Sequence, residues 1–191
     1  MTDWITAVRK HDPVDVSEVK KSYLISELSK TSKDKDRRSS FEEKLRDFLD
    51  KLESGELDGL AKLISMDYRK NAVYRHLTKH SRWYKIEAHI DHIYLTETNE
   101  KESAVLVTLS PPWNLGSLVK RIRITVREDL EREGLGDFLG KGDLTKELPI
   151  AVYKNENEVP RIELIDGMHR TPSLFIENDE EYLTLYLGRN D

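Results

Sequence analysis

One segment of the sequence combines side chains suited to phosphate chemistry, namely Asp166, Gly167, Met168, His169 and Arg170. It follows an apolar run at residues 162–165, which predicts a β-strand ending directly before it. Gly167 lets the backbone turn sharply and approach a ligand without a Cβ in the way. The guanidinium of Arg170 suits bidentate binding of a phosphate, and the carboxylate of Asp166 suits that arginine or a divalent ion. His169 is suited to position or protonate a leaving oxygen, so Asp166 and His169 are the candidate catalytic residues.

The residues after this segment favour the start of a helix, because Pro172 suits a first helical turn. A helix N-terminus presents free N–H groups and a partial positive charge, and both attract anions. The candidate phosphate-binding residues are therefore Gly167, Met168, Arg170, Thr171 and Ser173. The alternative interpretation is an ordinary β-turn in which Arg170 pairs with a local carboxylate.

The pattern of Asp166, Gly167, His169 and Arg170 resembles the Asp-Gly-x-His-Arg signature of the ParB/sulfiredoxin-like superfamily, and the likeness covers residues 104–191. That superfamily includes the N-terminal domains of partition proteins, ParB-like nucleases, sulfiredoxin and free-serine kinases. The resemblance implies a pocket from Gly167 to Arg170 for the phosphates of ATP or CTP, with magnesium as a candidate metal. The kinase branch carries a carboxylate in the loop after its first strand, whereas residues 110–114 contain none.

A second candidate site is a predicted helix at residues 68–80, which follows a shorter predicted helix at residues 57–64 and precedes a strand. This layout over residues 41–109 resembles the winged-helix family of DNA-binding modules. The resemblance implies that the exposed face of the helix contacts phosphates and base edges, since Arg and Asn side chains match guanine, phosphate and adenine. The candidate DNA-binding residues are Arg69, Lys70, Asn71, Arg75, Lys79 and Arg82. The alternative is a helical region with a solvated basic face.

The first helices are predicted from capping residues and apolar spacing. Asp15 is suited to cap a helix from Val16 to about Leu28. The next stretch, residues 29–40, contains no apolar residue and is typical of a solvated linker. Ser40 with Glu43 matches a capping box, and apolar residues follow at helical spacing, so a second helix is expected to begin there.

The strands are predicted from apolar alternation. From Arg82 apolar residues recur at every second position through Ile90, and residues 104–109 are expected to pair with that strand as a hairpin. A helical pattern then covers residues 115–133. Three more strands are expected, at residues 150–153, 162–165 and 182–187.

Four histidines lie close together in the sequence, but a metal site is not expected from them. His76 and His80 are one helical turn apart, and His89 and His92 lie on the following strand. Zinc accepts imidazole ligands, yet residues an odd number of positions apart on a strand point to opposite faces. The chain also has no cysteine to complete a ligand set. Hydrogen-bonded or solvent-exposed histidines are therefore expected.

The composition predicts a folded, cytoplasmic protein. The 191 residues include no cysteine, which excludes disulfides and suits a reducing compartment. No apolar run approaches the ~20 residues needed to span a bilayer, so no membrane partner is expected. Residues 1–80 hold 17 Lys and Arg against 15 Asp and Glu, whereas residues 81–191 hold 14 against 21. The first part is therefore better suited to meet a polyanion.

These features predict an α/β chain of the α+β kind. It would contain a helix and charged linker at residues 1–40, a winged-helix-like segment at residues 41–109 and a ParB/sulfiredoxin-like domain at residues 104–191, with an overlapping boundary. The expected function is nucleotide-dependent action on DNA by a nuclease or NTPase, and a homodimer is compatible with it. Two other functions stay open: a small-molecule, serine-type kinase that uses the same pocket, and a non-catalytic DNA-binding regulator.

Overall fold

The structure is a computed structural model that describes residues 8–29, 35–66, 68–95, 114–124, 147–156, 159–167, 171–172, 175 and 180–190. In chain order the elements within these stretches are β1 (Val8–Val14), α1 (Val16–Ser29), α2 (Lys35–Leu49), α3 (Ser54–Ile64), α4 (Tyr68–Lys79), β2 (Arg82–His89), a 3₁₀ turn (Ile90–His92), β3 (Ile93–Leu95), α5 (Leu115–Ile124), β4 (Ile150–Glu156), β5 (Val159–Asp166) and β6 (Tyr182–Arg189).

The six strands form one sheet in the order β1-β2-β6-β4-β5-β3. Strand β2 pairs antiparallel with both β1 and β6, and β4 pairs antiparallel with β5. The pairs β4–β6 and β3–β5 are parallel. Strand β6, which comes last along the chain among the described strands, therefore lies inside the sheet between β2 and β4.

Two apolar cores lie on opposite faces of this sheet. Neighbouring residues of a strand point to opposite faces, and Tyr186 belongs to one core whereas Leu185 and Leu187 belong to the other. The first core also contains side chains of α1, α3 and α4 together with Trp83 of β2. The second contains side chains of α5 and of the strands, and Phe175. Helices thus cover both faces, and the predicted mixture of helices and sheet is confirmed.

Helix α1 confirms the helix predicted after Asp15. The Asp15 carboxylate accepts a hydrogen bond of 2.7 Å from the amide of Ser17, and its hydrogen bonds with Ser17 hold the pKa of this exposed carboxyl below the usual value. The helix is buried along most of its length, including Lys20, which is 7% exposed and forms an ion pair with Asp58 of α3. A buried ammonium group needs such a partner, so this pair joins α1 to α3.

Helix α2 begins earlier than expected. The capping box at Ser40 predicted a helix start at that residue, but the helix begins at Lys35 and continues through Ser40 without a break. Residues 35–40 were expected to belong to a linker because they contain no apolar anchor. Lys and Arg are good helix formers, and this segment contains neither Gly nor Pro, so it extends the helix that Leu49 anchors in the core.

The prediction that β2, the strand at Arg82, pairs with residues 104–109 in a hairpin is wrong. Both edges of β2 are occupied, one by β1 and the other by β6, so no further strand can pair with it. Residues 104–109 themselves lie outside the described residues. Strand β1 was not predicted because its polar and proline residues hide the alternation, and β3 is too short to show a period.

The remaining elements agree with expectation. Helices α3 and α4 match the predictions for residues 57–64 and 68–80. Strands β4, β5 and β6 match the three C-terminal predictions, each with a longer extent. Helix α5 begins at the expected Leu115 and is described to Ile124; the rest of the predicted helix lies outside the described residues. None of the helices in the described stretches is long and apolar enough to cross a membrane.

Candidate functional site

The turn after β5 contains the described part of the candidate phosphate site. Asp166 is half-buried and lies opposite Ile150 of β4 at the end of the strand pair. The chain leaves the sheet at Gly167, whose φ of 89° lies in the left-handed region that residues with a Cβ rarely adopt. The sharp backbone turn expected at this glycine is therefore present.

Thr171 closes this turn. Its amide donates a hydrogen bond of 2.9 Å to the carbonyl of Gly167, which is the spacing of one helical turn. This amide is consequently not free for an anion, in contrast to the expectation for a helix that starts at Thr171. The side chain is fully buried, and within the described residues its hydroxyl has no hydrogen-bond partner. Leaving a buried hydroxyl unpaired costs about 1–3 kcal/mol, a cost that a bound ligand would remove.

Arg123 of α5 anchors the segment that follows the turn. Its Nε and Nη2 atoms donate hydrogen bonds of 3.1 and 2.7 Å to the carbonyl of Phe175. Phe175 is itself 2% exposed and packs in the core that α5 covers. The chain is thus held at Thr171 and at Phe175.

Several predicted site residues lie outside the part of the chain whose side chains are described, and these are Arg69, Lys70, Asn71, Met168, His169, Arg170 and Ser173. The described members of the phosphate set are Asp166, Gly167 and Thr171. These three are brought together at the end of β5. The described members of the DNA set are Arg75, Lys79 and Arg82.

Helix α4 carries an exposed basic face. Arg75 and Lys79 are one helical turn apart and exposed, whereas Val73 and Leu77 of the same helix are buried in the core. Arg82, at the start of β2, is also exposed and lines a surface cavity of about 250 Å³. The helix therefore has the polarity expected of a recognition helix, although the hairpin expected to form a wing from β2 is not formed.

A chain of hydrogen bonds links His76 of α4 and His80, the residue after this helix, to the end of the sheet. The Nδ1 atom of His76 lies 3.2 Å from Nε2 of His80, and the two rings are stacked with their centroids 5.4 Å apart. The Nδ1 atom of His80 lies 3.0 Å from Oδ1 of Asn190, which follows β6. Both imidazoles are half-buried. These hydrogen bonds therefore connect His76 on α4 to Asn190, the residue after β6.

Charged groups surround these histidines. Lys154 of β4 and Glu163 of β5 form an ion pair with N–O distances of 2.7 and 2.8 Å. Burial is the main cause that lowers the pKa of His76, and the charges of His80, Lys154 and Lys79 act in the same direction. Glu163 opposes them. Burial is also the main cause that lowers the pKa of His80, so both rings are expected to be neutral at pH 7.

No metal site is formed by the described residues: among them, no three side chains of His, Asp or Glu converge closely enough to hold an ion. His89 and His92 lie apart from α4, with their ring centroids 6.2 Å from each other. His89 instead contacts the ring of Tyr182 edge-on at 5.1 Å. The four histidines thus form two separate groups.

The sequence did not indicate that Asn190, Lys154 and Glu163 would lie near the α4 histidines. The only available signal was the helical spacing of His76 and His80, which predicts that the two rings are neighbours. The other three side chains reach this place because β4, β5 and β6 are adjacent in the sheet, and that order depends on pairing between distant segments.

Comparison of the chain with protein-family models, with curated proteins and with solved structures found no match. Inference about function therefore depends on the chemistry of the sites within the chain itself.

Proposed function

We propose that this chain binds the phosphates of a nucleoside triphosphate, ATP or CTP, at the turn from Asp166 to Thr171. We also propose that it acts on DNA as an NTPase or nuclease of the ParB/sulfiredoxin-like kind. The observation that carries the proposal is the combination of a left-handed Gly167 with the buried, unpartnered hydroxyl of Thr171 among the described residues. The glycine removes a Cβ from the path of a ligand, and the hydroxyl supplies a hydrogen bond that a phosphate oxygen accepts.

The anion would be held mainly by the residues between Gly167 and Thr171. Because the Thr171 amide donates its hydrogen bond to the Gly167 carbonyl, it is not available to an anion, and we assign the anion to the N–H groups of residues 168–170. Phosphate binds well to such groups. The guanidinium of Arg170 would add a bidentate contact, which is about twice as strong as a neutral hydrogen bond.

Asp166 is suited to hold a magnesium ion that the nucleotide brings with it. Mg²⁺ is usually bound through one or two carboxylates and the substrate phosphates, and the Asp166 carboxylate lies at the strand end beside the turn. A bound ion would neutralise the charge that develops on the phosphate oxygens. His169 would then protonate the leaving oxygen, which is the role its residue type favours.

DNA would be bound through the exposed face of α4. Arg75 and Lys79 are both exposed and one turn apart, so they are suited to contact neighbouring phosphates of one strand. Because β2 does not form a wing with residues 104–109, the proposal places the contact on α4 and on Arg82 at the beginning of β2.

The proposal is tested by comparing the unaltered protein with Arg170→Ala. Both are titrated calorimetrically and melted with ATP, CTP, GTP and ADP, with and without magnesium. One of the triphosphates is expected to stabilise the unaltered protein, by about 2.7 kcal/mol at 100 times the dissociation constant. Arg170→Ala is expected to lose this binding while its ligand-free melting temperature stays unchanged, because the substitution removes a charge from a turn. The matched control is Arg75→Ala, which should bind nucleotide normally.

The opposite pattern would contradict the proposal. If the unaltered protein binds none of the four nucleotides and Arg170→Ala melts at a lower temperature, Arg170 is a structural ion-pair partner in an ordinary β-turn.

A further inference from the structure

The hydrogen bonds of the α4 histidines determine which nitrogen atom carries each proton. Oδ1 of Asn190 only accepts hydrogen bonds, so Nδ1 of His80 must be the donor in that pair. A neutral His80 then has its lone pair on Nε2, which accepts a hydrogen bond from Nδ1–H of His76. The Nε2 atom of His76 is left with a lone pair.

This arrangement holds His76 in one tautomer and one orientation. A base whose second nitrogen donates to an orienting group is the usual form of a histidine that accepts protons in catalysis. Here His80 is the orienting group for His76, and Asn190 is the orienting group for His80. The His80 ring and the buried Trp83 ring meet edge to face, with their centroids 5.9 Å apart. The hydrogen-bonded histidines therefore pack against the core.

The surroundings of His76 favour an anionic substrate. Positive charge is supplied by Lys79 on the same helix, whereas Lys154 on β4 forms an ion pair with Glu163 that carries no net charge. Arg75 lies next to His76 in α4 and is exposed. The two cations Arg75 and Lys79, on the same helix as a neutral, half-buried imidazole, match a phosphate group better than a metal ion, which they would repel.

This group is separate from the turn after β5. Glu163 and Asp166 are three positions apart on β5, which is about 10 Å along the strand. Strand β5 contacts α4, whereas Phe175 packs in the core that α5 covers. A nucleotide at the turn would leave the surface at His76 accessible.

We propose that His76 is the general base of a second site, which hydrolyses phosphodiester bonds of a DNA strand bound along α4. His80 and Asn190 are positioning residues for it, and Arg75 and Lys79 bind the phosphate. The inference rests on the proposed function in taking DNA as the substrate, but it assigns the hydrolysis to α4 and not to the nucleotide turn.

The reaction uses water as its only co-reactant. Nε2 of His76 takes a proton from a water molecule, and the oxygen of that water forms a bond to phosphorus. The bond from phosphorus to the leaving oxygen breaks with its electron pair on that oxygen, which takes a proton from solvent. The imidazolium of His76 then releases its proton to solvent. The products are a phosphate monoester and an alcohol, with no change in oxidation state.

The test measures cleavage of labelled single-stranded and duplex oligonucleotides by the full chain, with and without ATP or CTP. His76→Gln keeps the size of the side chain but cannot accept the proton, so the cleavage rate is expected to fall about 100-fold while DNA affinity changes less than about two-fold. His92→Ala is the matched control, because His92 is exposed and lies outside this group. It should cleave at the unaltered rate. Melting curves of each variant check that the fold is intact.

The positioning role has a separate readout in the pH–rate profile. Cleavage by the unaltered protein should decline on the acidic side, because protonation of His76 removes the base. Asn190→Asp places a carboxylate against His80, and its negative charge favours protonation of the coupled His76–His80 pair, so the acidic limb should move to higher pH by about one unit. Folding damage alone would lower the rate without moving this limb.

The outcomes separate this inference from the proposed function. Absence of cleavage under every condition, or cleavage that His76→Gln leaves unchanged, overturns the role of His76, even when nucleotide binding at Arg170 is intact. Cleavage that depends on His76 in a protein that binds no nucleotide supports the α4 site and contradicts the nucleotide proposal.

Discussion

A buried hydroxyl without a partner destabilises a ligand-free protein, and Thr171 carries one among the described residues. Thr171→Val keeps the shape of the side chain and removes the hydroxyl. We expect the ligand-free protein to become more stable by about 1–2 kcal/mol, which raises its melting temperature by a few degrees. Nucleotide affinity should fall at the same time.

Melting and titration of one sample measure both effects, and Thr171→Ser, which keeps the hydroxyl, is the control. A Thr171→Val protein that gains stability and still binds nucleotide at full strength would show that the hydroxyl does not contact the ligand.

Two glycines show that the effect of a Gly→Ala substitution on stability depends on the atoms around the new Cβ. A Cβ at Gly188 of β6 would lie 2.8 Å from Cη2 of Trp83, a buried ring with little room to move. Gly188→Ala is therefore expected to destabilise the protein by about 1–3 kcal/mol. At Gly59 of α3 a Cβ meets nothing within 4 Å, and Gly59→Ala should stabilise it by up to about 1 kcal/mol. Urea unfolding of both variants measures the difference, and equal effects of the same sign would contradict this packing.

At the scale of elements, the His76–His80–Asn190 chain joins α4 to β6 and makes this junction sensitive to pH. Both histidines have a pKa that burial lowers in the folded state, so the unfolded chain binds more protons as the pH falls below about 6.5. The stabilisation is complete above that pH and is lost as the pH falls through the folded-state values. Urea unfolding at a series of pH values between about 8 and 5 measures this slope.

The variants that check this slope are His76→Gln with His80→Gln, and His92→Ala. The double variant should show a flatter dependence of stability on pH, because it carries neither buried imidazole. His92→Ala should keep the unaltered slope. A double variant with the unaltered slope would place the pH dependence in other groups.

The local sequence pattern was sufficient to predict the type of most elements. Helices α1, α3 and α4 and strands β4, β5 and β6 each have a cap or a period that reports their type. The pattern was misleading for α2, where a good capping box lies inside a helix because nothing at residues 35–39 ends it. Strand β1 could not be predicted, since its place at the sheet edge leaves His11, Asp12 and Pro13 exposed.

At the scale of the whole molecule, the charge of −5 opposes binding of a polyanion, so DNA must be bound by local cations. Arg75→Ala with Lys79→Ala should weaken DNA binding and reduce the slope of log affinity against log salt by about two, since each lost phosphate contact removes about one released counterion. Fluorescence anisotropy at several salt concentrations measures this. The control, Lys44→Ala with Lys51→Ala, removes two exposed lysines from another part of the surface.

An equal loss of affinity in both double variants would mean that DNA responds only to net charge, and would contradict a specific face on α4.

The sheet order, and with it the surroundings of His76, could not be predicted from the sequence. Strand type is a local property, but the order β1-β2-β6-β4-β5-β3 depends on contacts between segments as distant as β2 and β6. The turn at Gly167 was predictable because the glycine directly follows a strand and a helix-favouring proline, Pro172, comes five positions later. The proximity of Lys154 and Asn190 to α4 was not predictable, because Lys154 lies on β4 and Asn190 follows β6, and these strands are distant in the chain but neighbours in the sheet.

The place of β6 inside the sheet also has a consequence for synthesis on the ribosome. The chain is made from its N-terminus, so β2, which ends at His89, emerges about 90 residues before β6, which must come between β2 and β4. Until then β2 and β4 each expose an unpaired edge, the kind of surface on which nascent chains associate with one another. The sheet is complete only when Tyr182–Arg189 has left the exit tunnel. Its two parts, β1–β2 and β4–β5–β3, are therefore joined by β6 after translation of nearly all described residues.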